Sequence, residues 1–154
     1  MKKEHLDEMD MHILKILQQD SSTSYRTIKE ELNISIGTIH NRISKLKSEN
    51  GGPIEGYTLK LDNGKLGYEL TFLIRIQIDG KHTEEILSEI CKKPEVCSVF
   101  HTTGDQSAAL ICRFKLSEDV HNFIRELNKK KYVIRTVSDM VLKTYKNSSF
   151  VQIE

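Results

Sequence analysis

Residues Ser24–Leu46 read SYRTIKEELNISIGTIHNRISKL, and this stretch predicts two short helices joined by a tight turn. The first runs from about Tyr25 to Leu32, with Ile28 and Leu32 four apart on one face. Ser24 stands where an N-cap is needed, and Asn33 stands at the turn, where a side chain tolerant of positive φ is required. Ser35 is placed to cap the second helix, whose Ile39, Ile43 and Leu46 recur at the period of a buried stripe. What remains outward is Thr38, His40, Asn41, Arg42, Ser44 and Lys45: hydroxyls, an imidazole, an amide and cations, with no carboxylate. That is the side-chain chemistry of a helix laid in a DNA major groove. A solvated helical hairpin is the plainer alternative. Two caps, an Asn at the turn and an acid-free face together favour a helix-turn-helix.

Working outward, Leu6 to about Gln19 forms a first helix with a stripe of Leu6, Ile13, Leu14 and Leu17, and with Asp7, Glu8 and Asp10 complementing its dipole. It completes a three-helix unit over residues 1–53. After Leu46, Asn50-Gly51-Gly52-Pro53 stops the helix. Residues 54–67 read as wing or linker, with Tyr57 to Leu61 alternating as a short strand.

From Tyr68 the periodicity becomes strand-like. Phe72, Ile74, Ile76 and Ile78 alternate with Leu73, Arg75 and Gln77. His82 to Lys92 predicts a helix, and Val96–Thr103 and Ser107–Phe114 predict strands meeting at Gly104-Asp105. Ser117-Glu118-Asp119 is the expected cap of a further helix, with Val120, Phe123, Ile124 and Leu127 on one face. Ile134 to Tyr145 predicts a long last strand. Residues 68–146 thus read βαββαβ, a ferredoxin-like sheet with both helices on one side, and 147–154 form a tail. The fold class is α+β. The uncovered sheet face points to sheet-on-sheet dimerisation.

Composition narrows the function classes. With 154 residues, 23 basic against 22 acidic, the chain is no bulk polycation, so a nucleic-acid contact requires a local patch such as Arg42, Lys45 and Lys47. Cys91, Cys97 and Cys112 lack paired spacing and predict buried, reduced thiols. The start, MKKEHLDEMD, is too polar for a signal peptide, and no apolar run nears a membrane span, so the expectation is a cytoplasmic protein with no membrane partner. His5, His12, His40, His82, His101 and His121 show no metal-ligand pairing, and no catalytic constellation assembles from spacing. No enzyme activity and no cofactor are expected.

In order and spacing these residues resemble the Lrp/AsnC (feast/famine) family of transcriptional regulators. The resemblance rests on Leu6-Asp7-Glu8-Met9-Asp10 with Ile13-Leu14, on Ser35–Ile43 closing on Lys45-Leu46, on Ile54–Thr58, on Leu66-Gly67-Tyr68, on Thr102–Asp105 and on Thr136–Lys143. It implies a winged helix-turn-helix followed by an effector-binding domain, the RAM domain. It further implies sheet-domain dimers assembling to tetramers or octamers, semi-palindromic promoter DNA as partner, often the regulator's own promoter, and a small-molecule effector, usually an amino acid. The chain departs from the family pattern at Lys29, which must snorkel outward, and at Gln106-Ser107, where an aromatic and a second acid are common. The segment between Leu46 and Ile54 is also longer than usual.

The candidate DNA contacts are Ser24, Tyr25, Arg26, Ser35, Gly37, Thr38, His40, Asn41, Arg42 and Lys45. Thr38, His40 and Asn41 suit base edges, Asn pairing bidentately with adenine, while Arg42 and Lys45 suit phosphate, helped by Ser24, Tyr25 and Arg26. Arg42 equally suits guanine. For an amino-acid effector, Thr102, Thr103, Gly104 and Asp105 offer hydroxyls, backbone N–H groups and a carboxylate, although Gly104-Asp105 is also simply a good turn. Two other functions fit the same architecture: an architectural DNA compactor, and a sirohaem-decarboxylase-like enzyme using His101 and His121.

Overall fold

The computed structural model describes residues 6–153. His5, the first five residues of the polar start, and Glu154 at the end of the tail lie outside the described residues. By internal contacts the chain forms two compact units. One is the chain up to Lys60 together with the segment from Asn147 onward, and the other is Leu61–Lys146.

In the first unit, α1 (Glu8–Gln19), α2 (Tyr25–Leu32) and α3 (Ile36–Leu46) enclose a core of Ile13, Leu17, Ile28, Ile39, Ile43 and Leu46. Local chemistry sets each helix end. Asp7 caps α1 in a reciprocal box: its carboxylate accepts from Asp10 N at 2.8 Å, and its own N–H donates to Asp10 Oδ2 at 3.3 Å. Ser24 Oγ accepts from Thr27 N and Ser35 Oγ from Thr38 N, each at 3.1 Å. Asn33 sits at φ 51, ψ 45, the left-handed conformation expected of it. Lys29 is exposed, as its position demands.

After α3 the chain folds tightly back. Ile54 N donates to Leu46 O and Ser48 N to Ile54 O, both at 2.8 Å, and Lys47 bridges Ile54 in parallel. The short strand expected over Tyr57 to Leu61 does not form: among the described residues no segment pairs with it, and a strand requires a hydrogen-bonded neighbour.

The second unit is an antiparallel sheet in the order β2-β3-β1-β4, with β1 Leu70–Ile78, β2 Val96–His101, β3 Ala108–Phe114 and β4 Val133–Met140. α4 (Thr83–Ile90) follows β1 and α5 (Ser117–Lys129) follows β3, giving βαββαβ. Alternation places Ile74, Ile76, Ile78, Leu110, Cys112 and Phe114 inward, against Ile86 and Ile90 of α4 and Val120, Phe123 and Leu127 of α5. Both helices therefore cover one face. The opposite face carries Leu73, Arg75, Ile111 and Phe100 in register with their neighbours and is left open.

Several local expectations change. Ser117 is the first residue of α5 rather than its cap, and Leu116 precedes it without a side-chain cap. The helix expected from His82 begins at Thr83, after a 3-10 turn over Gly80–His82. β4 stops at Met140, opposite Phe72, although β1 continues to Leu70; Val141 N to Thr71 O, at 2.9 Å, is the last bond between them. The three thiols also divide, with Cys112 buried and Cys91 and Cys97 exposed. Cys97 lies at a register shift in the edge strand, where alternation alone misplaces it.

Burial, first of all, pushes the Cys112 thiol up to about 12. Brief alkylation of the native protein near pH 8 is therefore expected to add two labels by intact mass, and denaturation to expose the third. Three labels on the native protein would contradict the Cys112 packing.

Candidate nucleic-acid interface

The inward stripe Ile39–Ile43–Leu46 fixes which way α3 faces. At about 100° per residue, Gly37, Asn41 and Ser44 lie farthest from the core, Thr38 and Lys45 lie on one flank, and His40 with Ile36 lies on the other. Gly37, Thr38, His40, Asn41 and Lys45 are all exposed. Asn41 and Lys45 make no side-chain hydrogen bond among the described residues. A Cβ built on Gly37 meets only Ser35 Oγ, at 3.8 Å, so nothing within the protein requires glycine there.

The Thr38 flank borders a cleft of about 790 Å³, whose lining includes Asp7, Asp10, Asn41, Arg42, Lys45 and Pro53. Arg42, expected to grip phosphate or guanine, is committed elsewhere. Its Nη1 donates to Asp7 Oδ1 and Oδ2 at 2.8 and 2.7 Å and to Asp10 Oδ1 at 2.7 Å. The guanidinium thus joins α3 to the capped start of α1. The cause is tertiary, since the two carboxylates that close the α1 capping box also point at α3. From sequence, these acids looked like dipole partners only.

The same contact holds the Asp7 carboxyl below the usual carboxylate range, through the Arg42 hydrogen bond first and the Asp10 backbone N–H next. A depressed carboxylate contributes stability above its unfolded value, near 4, and loses it as pH falls through the lower folded value. Asp10 is only 17% exposed and would be left facing Asp7 without a cation. Arg42→Met is therefore expected to destabilise the helical unit at neutral pH, lowering its urea midpoint. The deficit should shrink below pH 4 as the Asp7 carboxylate protonates. Urea melts of both proteins from pH 3 to 7 test this, and a deficit independent of pH would point to packing alone.

On the other flank, the His40 ring meets Tyr25, the first residue of α2, edge to face at 6.4 Å and 68°. Tyr57 of the linker approaches the same place: partial burial, then the neighbouring Tyr25, raises its phenol above the ordinary value. Arg26 is 84% exposed and, among the described residues, pairs only with Glu30, at 3.2 Å. Ser24 and Ser35, expected at the DNA, have their hydroxyls against Thr27 and Thr38 at 2.9 and 2.8 Å, so each serves its cap.

In the sheet unit, Thr102 N donates to Ser107 O at 2.9 Å and Thr102 Oγ1 to Gln106 O at 2.6 Å. These bonds close the loop containing Thr103, Gly104 (φ 98) and Asp105. Thr102 is therefore occupied in the loop's own structure, while the Asp105 carboxylate makes no bond among the described residues. Among those residues no cluster fit to hold a metal occurs, and no helix is long and apolar enough to cross a membrane.

Comparison with known proteins gives matches over both units. Residues 6–47 match the AsnC-type helix-turn-helix domain, and residues 71–151 match the Lrp/AsnC ligand binding domain. An uncharacterised HTH-type transcriptional regulator of Pyrococcus abyssi is 41% identical over 141 residues, covering 92% of this chain and 95% of the relative. The HTH-type transcriptional regulator FL11 of Pyrococcus horikoshii is 34% identical over 149 residues, 97% of each chain. Among solved structures, a Neisseria meningitidis transcriptional regulator in complex with L-Met superposes with a TM-score of 0.87 at 24% identity, covering 96% of this chain and 97% of that one.

Proposed function

Since the chain belongs to the Lrp/AsnC family of HTH-type transcriptional regulators, we propose that it reads promoter DNA through α3 as a homodimer and that a small molecule tunes this binding. The observation that carries the reading is the acid-free outer surface of α3, with Asn41 at its centre unpaired among the described residues. Asn41 and Thr38 face base edges, Lys45 faces phosphate, and Gly37 lets the helix backbone approach the groove. Arg42 is left out of this set because the α1 carboxylates hold it.

Dimerisation through the open sheet face is supported by its half-exposed Leu73 and Phe100 beside Ile111. A two-fold dimer carries two α3 helices, which suits half-sites about one helical turn apart. The effector reading is supported by the ligand-binding match, by the L-Met bound to the Neisseria relative, and by the Thr103–Asp105 loop. There Asp105 suits an ammonium and the N–H groups around Gly104 suit a carboxylate, so an amino acid is the expected class. Catalysis has no place in this reading.

Footprinting of DNA upstream of the protein's own gene, at moderate salt, is the direct test. Protected stretches repeating at about one helical turn support the reading. A uniform smear that salt abolishes would replace it with nonspecific compaction.

Gly37 gives a sharper check. Gly37→Ala adds a better helix former in open space, so it is expected to raise stability by about 0.5–1 kcal/mol. It should nevertheless weaken binding to the specific site, because the new methyl meets the groove. Improved stability with unchanged DNA affinity would remove Gly37 from the interface.

A further inference from the structure

The two flanks of α3 differ in how firmly they hold their side chains. Asn41 and Lys45 lie unrestrained by hydrogen bonds among the described residues, whereas His40 has a ring partner in Tyr25. Tyr25 is well placed to act as a fixed wall. It is the first residue of α2, directly after the Ser24 cap whose Oγ accepts from Thr27 N at 3.1 Å, and only 37% of it is exposed. An exposed histidine ordinarily samples several χ1 wells and turns freely about χ2. An edge-to-face neighbour at 6.4 Å restricts that sampling. Holding a reader in one orientation before contact removes an ordering cost from binding and leaves its ring nitrogens at one place in the groove.

Resting on the reading that α3 enters the groove, we propose that Tyr25 is a positioning residue that orients the His40 ring, and that His40 so held selects bases on its flank of the site. Its ring N–H is matched to an acceptor on a purine edge, N7 of either purine or O6 of guanine. Tyr25 then acts on sequence preference through its ring and not through its hydroxyl. This separates it from a phosphate contact, which would strengthen binding to all DNA alike.

The experiment selects bound duplexes from a randomised pool with the full-length protein and with Tyr25→Phe, Tyr25→Leu, Tyr25→Ala and His40→Ala. Tyr25→Leu keeps apolar bulk without a flat ring, so it stays informative if the alanine variant melts. The expected result is that Tyr25→Leu and Tyr25→Ala blur the same base positions as His40→Ala, while Tyr25→Phe preserves the wild-type preference. Discrimination at those positions should fall by about 5-fold or more. Adding Tyr25→Ala to His40→Ala should cost no further discrimination.

Two results overturn the inference directly. One is uniform weakening on every duplex with the preference intact. The other is a Tyr25→Phe defect equal to that of alanine, which would assign the hydroxyl to phosphate. If His40→Ala changes no preference while Asn41→Ala does, the inference falls and groove reading by α3 stands. If the wild-type protein selects no sequence at all, the functional reading falls with it.

Discussion

Asn41→Ala is expected to weaken binding to the specific site by 1–3 kcal/mol, roughly 5- to 150-fold, and to relax base preference. Asn41 lies opposite the Ile39–Ile43–Leu46 stripe and makes no side-chain bond among the described residues. Its amide carries both a donor and an acceptor, the pair needed for the N6/N7 edge of adenine. Because no described residue bonds to that exposed side chain, stability should stay within about 0.5 kcal/mol of wild type. Titration of the footprinted site and of an unrelated duplex, at one salt concentration, measures both effects. Equal losses on the two duplexes would make Asn41 a positioning contact only.

Gly52→Ala is expected to have the largest effect on stability. A Cβ at this position would lie 2.2 Å from both the carbonyl carbon and the oxygen of Leu46. Those atoms are backbone, at the buried end of α3, and Leu46 O also accepts from Ile54 N at 2.8 Å. The turn or the helix end must move, and a displacement of that kind costs about 2–4 kcal/mol. Thermal unfolding followed by circular dichroism measures the loss, with Gly56→Ala as the control. A Cβ on Gly56 meets nothing within 4 Å, so that variant should change little. Equal melting of the two variants would show that the turn does not pack on α3 as described. Because the turn also borders the cleft beside Asn41 and Lys45, Gly52→Ala should reduce DNA affinity even at temperatures where the protein stays folded.

Much of the fold is legible in sequence where the cause is local. Ser24, Ser35 and Asn33 act within a few residues of themselves, and each does what its position predicts. The 3.6-residue stripe of α3 and the alternation of Phe72–Ile78 likewise fix faces without knowledge of the partner, because burial follows period. The order βαββαβ follows from those periods in sequence.

The misplacements share the opposite cause. β4 leaves the sheet at Met140, opposite Phe72 of β1, and Tyr57 to Leu61 finds no strand partner among the described residues. Cys97 is exposed because the edge strand shifts register beside it. None of these neighbours is near in sequence.

The candidate interface divides in the same way. The sequence by itself determined the elements, their order, and an outward face on α3 without acids, since caps and periodicity act over single turns of chain. Packing sets which side chains on that face are already held. Asp7 and Asp10, 35 and 32 residues before Arg42, take its guanidinium, and Tyr25 reaches across from α2 to meet His40. A cation, an imidazole and an amide on one helix look equally free in sequence. Only the packing of α1 and α2 against α3 shows that Arg42 is bound, His40 is braced and Asn41 is open, because contact between side chains depends on where helices cross and not on how residues are spaced.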